Sequence, residues 1–198
     1  MKQLRKTLSL LCVLAMALAC LSVPAPAEET AFAGGSGTEE DPWQIETVEQ
    51  LAYLASTVND GSKSGYMGAY FALTADLDMT GVDWTPIGNM ADMENYTTLF
   101  LGSFDGQRHT VSNLTYENDQ FIVGAGLFGI SVGEIKNVNI ENAVVHCTEA
   151  NSMAIGSLVG YSMGSVTGCS VTSADVLGNN CTGGLIGGDV GPVTNCSA

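Results

Sequence analysis

The sequence predicts an all-β fold, a right-handed parallel β-helix with one short N-terminal capping helix. Three observations carry this expectation. One four-residue pattern occurs three times, as Gly126-Leu127-Phe128-Gly129, Ser157-Leu158-Val159-Gly160 and Gly184-Leu185-Ile186-Gly187. Repetition of this kind marks a solenoid. Each copy is followed by a short apolar run, at Ile135 to Ile140, Val166 to Val171 and Val193 to Ser197, and Val111 to Tyr116 reads as an earlier member of that set. The steps between Val111, Ile135, Val166 and Val193 are 24, 31 and 27 residues. Such unequal steps suit coils of two or three short strands joined by glycine turns, with loops of variable length. One coil cannot bury its apolar side alone, so stacked neighbours must build the core together.

The chain opens with a leader. Lys2, Arg5 and Lys6 precede an almost wholly apolar run from Leu8 to Val23, and Pro24-Ala25-Pro26-Ala27 follows. That order is a secretory signal with cleavage after Ala27, and the run is too short for a membrane span. Ala31-Phe32-Ala33 is a second candidate cleavage site. Ala17-Leu18-Ala19-Cys20 resembles a lipoprotein site without the usual first-position Leu, so a lipid anchor on Cys20 is the alternative. The chain therefore divides into a signal peptide (1–27), an N-terminal cap with the first coils (28–125) and repeat coils (126–198). It ends inside a repeat without a capping strand, which suggests a fragment of a longer protein, since an open solenoid end invites aggregation.

After a small-residue lead-in, Thr47 can cap a helix and Gln50 can reach back to it, as in a capping box. Val48, Leu51, Ala52, Leu54, Ala55 and Val58 form an apolar stripe at helical spacing, and Gly61 is the expected stop. Tyr70 to Met79 alternates apolar and polar residues, a half-buried strand with Asp76 and Asp78 on its wet face. Trp84 to Gly88 is a short strand or turn, Asn89 to Thr97 a polar loop, and Leu99 to Asp105 an extended segment.

Aligning the repeats makes columns. Val111, Ile135, Val166 and Val193 share one; Leu114, Val138, Cys169 and Cys196 another; Tyr116, Ile140 and Val171 a third. The first two columns are three residues apart, so a bend must separate them. Asn113, Asn137 and Asn195, with Gly168 once, occupy that bend, where Asn tolerates left-handed backbone. Cys169 and Cys196 then point inward as buried free thiols, because in-register parallel neighbours offer poor disulfide geometry. Cys181 aligns with Ala154 and is expected to pack. Cys147 falls in a loop after His146 and has no assigned role.

These segments resemble the GLUG-motif repeat proteins of bacterial surfaces. Gly35-Ser36-Gly37-Thr38, Pro42-Trp43-Gln44-Ile45, Asp76-Leu77-Asp78 and Phe104-Asp105-Gly106 through His109 are similar to the lead-in of that array. The resemblance covers about Phe32 to Ala198. It implies a β-helix-like repeat in an exported protein, such as a large adhesin or a stalk beside an immunoglobulin-A-cleaving metallopeptidase, and it implies no catalytic site.

Composition narrows the chemistry. The 21 acidic residues all follow the leader, where only Lys63, Arg108 and Lys136 are basic, so the processed chain carries a formal net charge of −18. Such a chain repels nucleic acid, anionic membrane and polyanionic sugars. The expected partners are host or cell-wall glycans or proteins, without nucleic acid and without membrane insertion once the signal is removed. The only histidines, His109 and His146, lack a zinc-peptidase context, and His109 reads as a turn-locking hydrogen-bond donor. There is no nucleophile elbow, no phosphate loop and no CxxC pair. Asp76 and Asp78 are the one carboxylate pair that could serve a glycosidase, although nothing separates an acid from a base. Asp76 to Asp83 begins like a calcium loop, but Ile87 stands at its twelfth position. The expectation is a non-catalytic secreted or surface scaffold for adhesion or ligand display, with no catalytic residue, metal or cofactor and with its binding residues unassigned. The alternative is a polysaccharide-active β-helix enzyme, or a stalk module of a larger surface hydrolase or peptidase.

Overall fold

The computed structural model describes residues 31–61, 66–90 and 96–198. The segment expected to be a signal peptide (1–27), with Cys12 and Cys20, lies outside them, as do Lys63 and part of the 89–97 loop. The described chain is a parallel β-solenoid of about five turns with a single short helix.

The entry strand β1 (Trp43–Ile45) leads into α1 (Val48–Asp60). The helix starts where its polar signals place it. Thr47 accepts from the Gln50 N–H at 3.4 Å, and the Gln50 side chain accepts from the Thr47 N–H at 3.3 Å. Gly61 ends it in the left-handed conformation at φ 64°. Leu51, Leu54 and Ala55 are buried, so the apolar stripe faces the solenoid. Asn59, in the last turn, donates to the Pro86 carbonyl and accepts from the Gly88 N–H, both at 2.9 Å. Its amide thus supplies the partners that a neighbouring strand would give, which is how the helix caps this edge.

The first strands are β2 (Tyr70–Leu73), β3 (Leu77–Asp78), β4 (Ser103–Asp105), β5 (Thr110–Ser112), β6 (Thr115–Asn118), β7 (Gly124–Ala125) and β8 (Phe128–Ser131). A complete turn follows as β9 (Ile135–Lys136), β10 (Asn139–Glu141), β11 (Val144–Cys147), β12 (Ala154–Ile155) and β13 (Val159–Ser162). The next turn repeats it as β14 (Val166–Thr167), β15 (Ser170–Thr172), β16 (Asp175–Leu177), β17 (Cys181–Thr182) and β18 (Ile186–Asp189), and β19 (Val193–Thr194) opens another. Each complete turn holds five short strands rather than the two or three expected, because the corners come every few residues. Stacked turns form five parallel sheets, the widest running β1-β2-β4-β9-β14-β19.

The three glycine-apolar motifs stack as predicted. Val159 pairs with Phe128 on one side and Ile186 on the other. Leu127 and Leu158 have no exposed surface and Leu185 retains 6%. Nearer the helix the interior turns aromatic, with ring centroids 5.0 Å apart for Phe100 and Phe128 and 5.1 Å for Phe104 and Phe128. Phe32 joins this end, packed against Trp43, Tyr53, Tyr66 and Phe71. Cleavage after Ala33 would remove that ring, whereas cleavage after Ala27 keeps it.

The column assignments need correction for the earliest segment. Val111 pairs with Ile140, and the residue paired with Ile135 is Phe104. Tyr116 pairs with Val145. Leu114 accordingly falls opposite Ala143, not Val138. There are two asparagine corners in each turn instead of one. Asn137, Gly168 and Asn195 form the first, at φ 54°, 66° and 55°, and Asn113, Asn142 and Ser173 form the second, at φ 58°, 53° and 59°. The left-handed backbone expected for Asn113, Asn137, Gly168 and Asn195 is present at all four, and Asn142 and Ser173 share it without having been expected to.

Three further expectations change. The segment Tyr70 to Met79 is two strands in different sheets, broken between Leu73 and Leu77 where the chain turns a corner. Cys147 lies in β11 with its side chain buried, not in a loop. Cys181 keeps its register with Ala154 but is exposed. Cys169 is buried and Cys196 half-buried, both as free thiols.

Candidate functional site

The polar residues that could carry chemistry sit on the outer faces of the short strands and at the corners between them. Asp76 and Asp78 flank Leu77 beside β5. Asp76 Oδ1 accepts from the Thr110 N–H at 2.9 Å and lies 3.0 Å from His109 Nδ1. Asp78 Oδ1 accepts from the Thr80 hydroxyl at 2.6 Å, the Thr80 N–H at 3.0 Å and Asn113 Nδ2 at 2.8 Å. These bonds favour the ionised form of both groups. The Thr110 N–H holds Asp76 below the usual carboxylate range, helped by His109, and the Asn113 amide does the same for Asp78, helped by Thr80.

That environment argues against glycosidase work by this pair. A general acid needs a carboxyl whose affinity for a proton is raised, and both are shifted the other way. The two groups instead join successive turns: Asp76 reaches β5, and Asp78 reaches the second asparagine corner. The His109 ring does not close its own turn, which the His109 N–H closes by donating to the Gly106 carbonyl at 2.8 Å; the ring meets the Asp76 carboxylate on the preceding turn of the solenoid instead. Arg108 contributes its main chain, with its N–H donating to the Asn137 carbonyl at 2.8 Å. The calcium-loop reading also weakens, because Asp78 already accepts three hydrogen bonds from protein donors. Among the described residues, no group of three or more His, Cys, Asp and Glu side chains is arranged to hold a metal ion.

His146, left without a role by its sequence context, stands on the outer face of β11 between two turns. Its Nε2 lies 3.1 Å from Asp175 Oδ2 and its Nδ1 lies 3.9 Å from Glu117 Oε1. The Nε2 approach is out of line for a hydrogen bond, so it is an ion pair when the ring is protonated. The next residue inward, Cys147, has its thiol pushed up to about 11 by burial. Burial likewise pushes Cys169 up to about 11. Neither thiol has the lowered affinity for its proton that makes a nucleophile.

No family model matches the chain. It is 35% identical over 169 residues to a halomucin of Haloquadratum walsbyi, a match that covers 78% of this chain and 2% of that protein. It is 30% identical over 172 residues to a protein of Evansella cellulosilytica named as a Gly-rich membrane protein, covering 81% of this chain and 18% of the other. The chain thus spans a small part of the curated relatives it matches. In three dimensions it is similar to a crystal structure of a Bacteroides ovatus protein named as an immunoglobulin A1 protease. The TM-score is 0.57 at 23% identity, over 84% of this chain and 59% of that one. This likeness shows a shared fold.

Proposed function

We propose that the protein is a secreted or cell-surface β-solenoid of the GLUG-repeat type, a non-catalytic scaffold that presents its outer faces for adhesion or ligand display. The observation that carries this reading is the uninterrupted inward stack of Leu127, Leu158 and Leu185. Such a stack spends the apolar residues on the axis and leaves the outward positions of five sheets free to vary without disturbing the core. Three findings support it. The relatives are named as a halomucin and a membrane protein. No helix among the described residues is long and apolar enough to cross a membrane. The Asp76 and Asp78 carboxylates are both committed to bonds between turns.

One observation favours a second reading, a stalk module within a larger surface hydrolase or peptidase. The matched stretch is 18% of one relative and 2% of the other, so similar segments occur inside much longer chains.

Protease shaving of intact cells followed by peptide mass spectrometry tests the location. Peptides of the outer faces released from intact cells, together with a processed N-terminus at Glu28, are the expected result. Recovery of the protein only after lysis would overturn the scaffold reading.

A further inference from the structure

Two lead-in segments far apart in sequence, Gly35 to Trp43 and Phe104 to His109, meet at one place on the outer face of the widest sheet. The first forms a closed loop. The Ser36 and Gly37 N–H groups both donate to the Asp41 carbonyl at 2.9 Å, and the Asp41 N–H donates to Thr38 Oγ1 at 3.2 Å. Tyr70 ties the loop to β2 by donating its N–H to the Gly37 carbonyl at 3.0 Å. The second segment makes a turn after β4 with Gln107 and Arg108 at φ 49° and 69°. Two successive left-handed residues that are neither Gly nor Asn cost about 1 kcal/mol or more each. The turn is held by the Gln107 N–H, which donates to Asp105 Oδ1 at 2.8 Å, and by the bond from Arg108 to Asn137.

Between loop and turn lies a cleft of about 240 Å³ lined in part by Glu39, Tyr70, Ser103, Asp105, Gln107 and Lys136. Lys136 Nζ lies 3.1 Å from Glu134 Oε2. That bond holds the ammonium charged, helped by Asp105 and Glu39 from the two walls.

We propose that this cleft binds one pyranose unit of an uncharged glycan whose chain continues along the outer face of the sheet. The inference rests on the surface-scaffold reading and names the ligand class and the place. The lining offers donors in Lys136, acceptors in Glu39 and Asp105, and groups that do both in Ser103 and Gln107. A sugar hydroxyl also does both, and Tyr70 supplies an aromatic surface for the C–H face of the ring. Three carboxylates against one ammonium repel uronates and sulfated sugars. The volume is below the roughly 300–1,000 Å³ of pockets that engulf drug-sized ligands, so it suits a single ring with the chain running out of it. In the direction of the later turns, Asp105, Lys136, Thr167 and Thr194 occupy one column. The Thr167 and Thr194 hydroxyls are 3.1 Å apart. Rungs follow at ~4.8 Å, close to the length of one sugar unit in an extended glycan.

The test is a titration of ¹⁵N-labelled protein, followed by amide shifts. The probes are cellohexaose, chitohexaose, mannohexaose and maltohexaose, with oligogalacturonate and a Lys-rich peptide as charged counterparts. At least one neutral hexamer is expected to shift the Tyr70, Ser103, Gln107 and Lys136 amides, with oligogalacturonate silent. Gln107→Gly removes the amide and relieves its backbone, and Lys136→Thr copies the next rung. Each is expected to weaken binding at least tenfold with the rest of the spectrum intact. The proposal fails if all neutral hexamers leave these amides unmoved, if only the basic peptide moves them, or if both variants bind as the parent does. A silent cleft in a protein that shaving places at the surface overturns the glycan site alone. Absence from the surface overturns the reading beneath it.

Discussion

Truncating Leu158 removes the middle of the leucine stack. Its side chain has no exposed surface and lies between Leu127 of the preceding turn and Leu185 of the next. Core Leu→Ala substitutions cost about 2–5 kcal/mol, and the larger values occur where the surroundings cannot collapse into the void. Here collapse is blocked on both sides. The Leu127 N–H donates to the Ser157 carbonyl, and the Leu158 N–H to the Leu185 carbonyl, each at 3.0 Å. The rungs are held at the spacing of these bonds and cannot slide inward, so Leu158→Ala is expected at about 3–5 kcal/mol. With a urea dependence of about 2 kcal/mol per molar, the unfolding midpoint falls by about 1.5–2.5 M. Leu177→Ala is the matched control, because that side chain is 50% exposed on an outer face. It is expected to change stability by no more than about 0.5 kcal/mol. A loss below about 1 kcal/mol for Leu158→Ala, or equal losses for the two variants, would refute the reasoning.

Three other perturbations follow from the same geometry. A Cβ on Gly160 would lie 2.6 Å from Gly124 Cα and 2.7 Å from the Ala154 carbonyl, both main-chain atoms; Gly160→Ala should therefore lower stability by about 1–3 kcal/mol in urea unfolding, and an unchanged midpoint would contradict the close approach. Asp76 and Asp78 are held below their ordinary value of 3.8, so their contribution is present above that value and is lost as pH falls through the lower folded value. Thermal unfolding from pH 7 to pH 2 should show stability falling below about pH 4, with a shallower fall in Asp78→Asn; identical acid limbs would show that Asp78 is not linked to folding. Iodoacetamide at pH 8 should alkylate exposed Cys181 well before buried Cys147 and Cys169, whose thiols stand near 11; mass spectrometry showing equal rates would mean that the interior is open.

Much of the architecture was legible because stacking repeats the same demand at each turn. The glycine-apolar motif reports one such demand. Its Leu must point to the axis, and its last Gly lies against the main chain of a neighbouring segment. The helix was legible from its ends, since Thr47, Gln50 and Gly61 satisfy main-chain groups locally. The merged asparagine columns have a physical cause. Each turn has two corners of the same form, Ile135-Lys136-Asn137-Val138 and Ile140-Glu141-Asn142-Ala143, and Val111-Ser112-Asn113-Leu114 suits either. The 24-residue step from Val111 to Ile135, short beside 31 and 27, is the signal that Val111 belongs to the second corner. The Gln107-Arg108 turn hid Phe104 as the true partner of Ile135.

A second regularity is also visible in the sequence. Gly102, Gly133, Gly164 and Gly191 recur at the chain's own period, and a Cβ on each of the last three would collide with the carbonyl of the preceding member. The cleft and the approach of His146 to Glu117 and Asp175 were not legible, because they join residues from different turns whose lateral positions depend on loop length. Glu39 faces Lys136 only because the 36–41 loop folds back over the sheet. Asp76 and Asp78 were correctly placed outside, but their bonds to His109, Thr110 and Asn113 required the register of the next turn.

The most direct measurement is of scalar couplings across hydrogen bonds in a ¹⁵N,¹³C-labelled sample. Successive rungs around one apolar axis require couplings from the Leu127 nitrogen to the Ser157 carbonyl carbon and from the Leu158 nitrogen to that of Leu185. Couplings from those nitrogens to carbonyls of their own turn, with none to the following one, would contradict the solenoid.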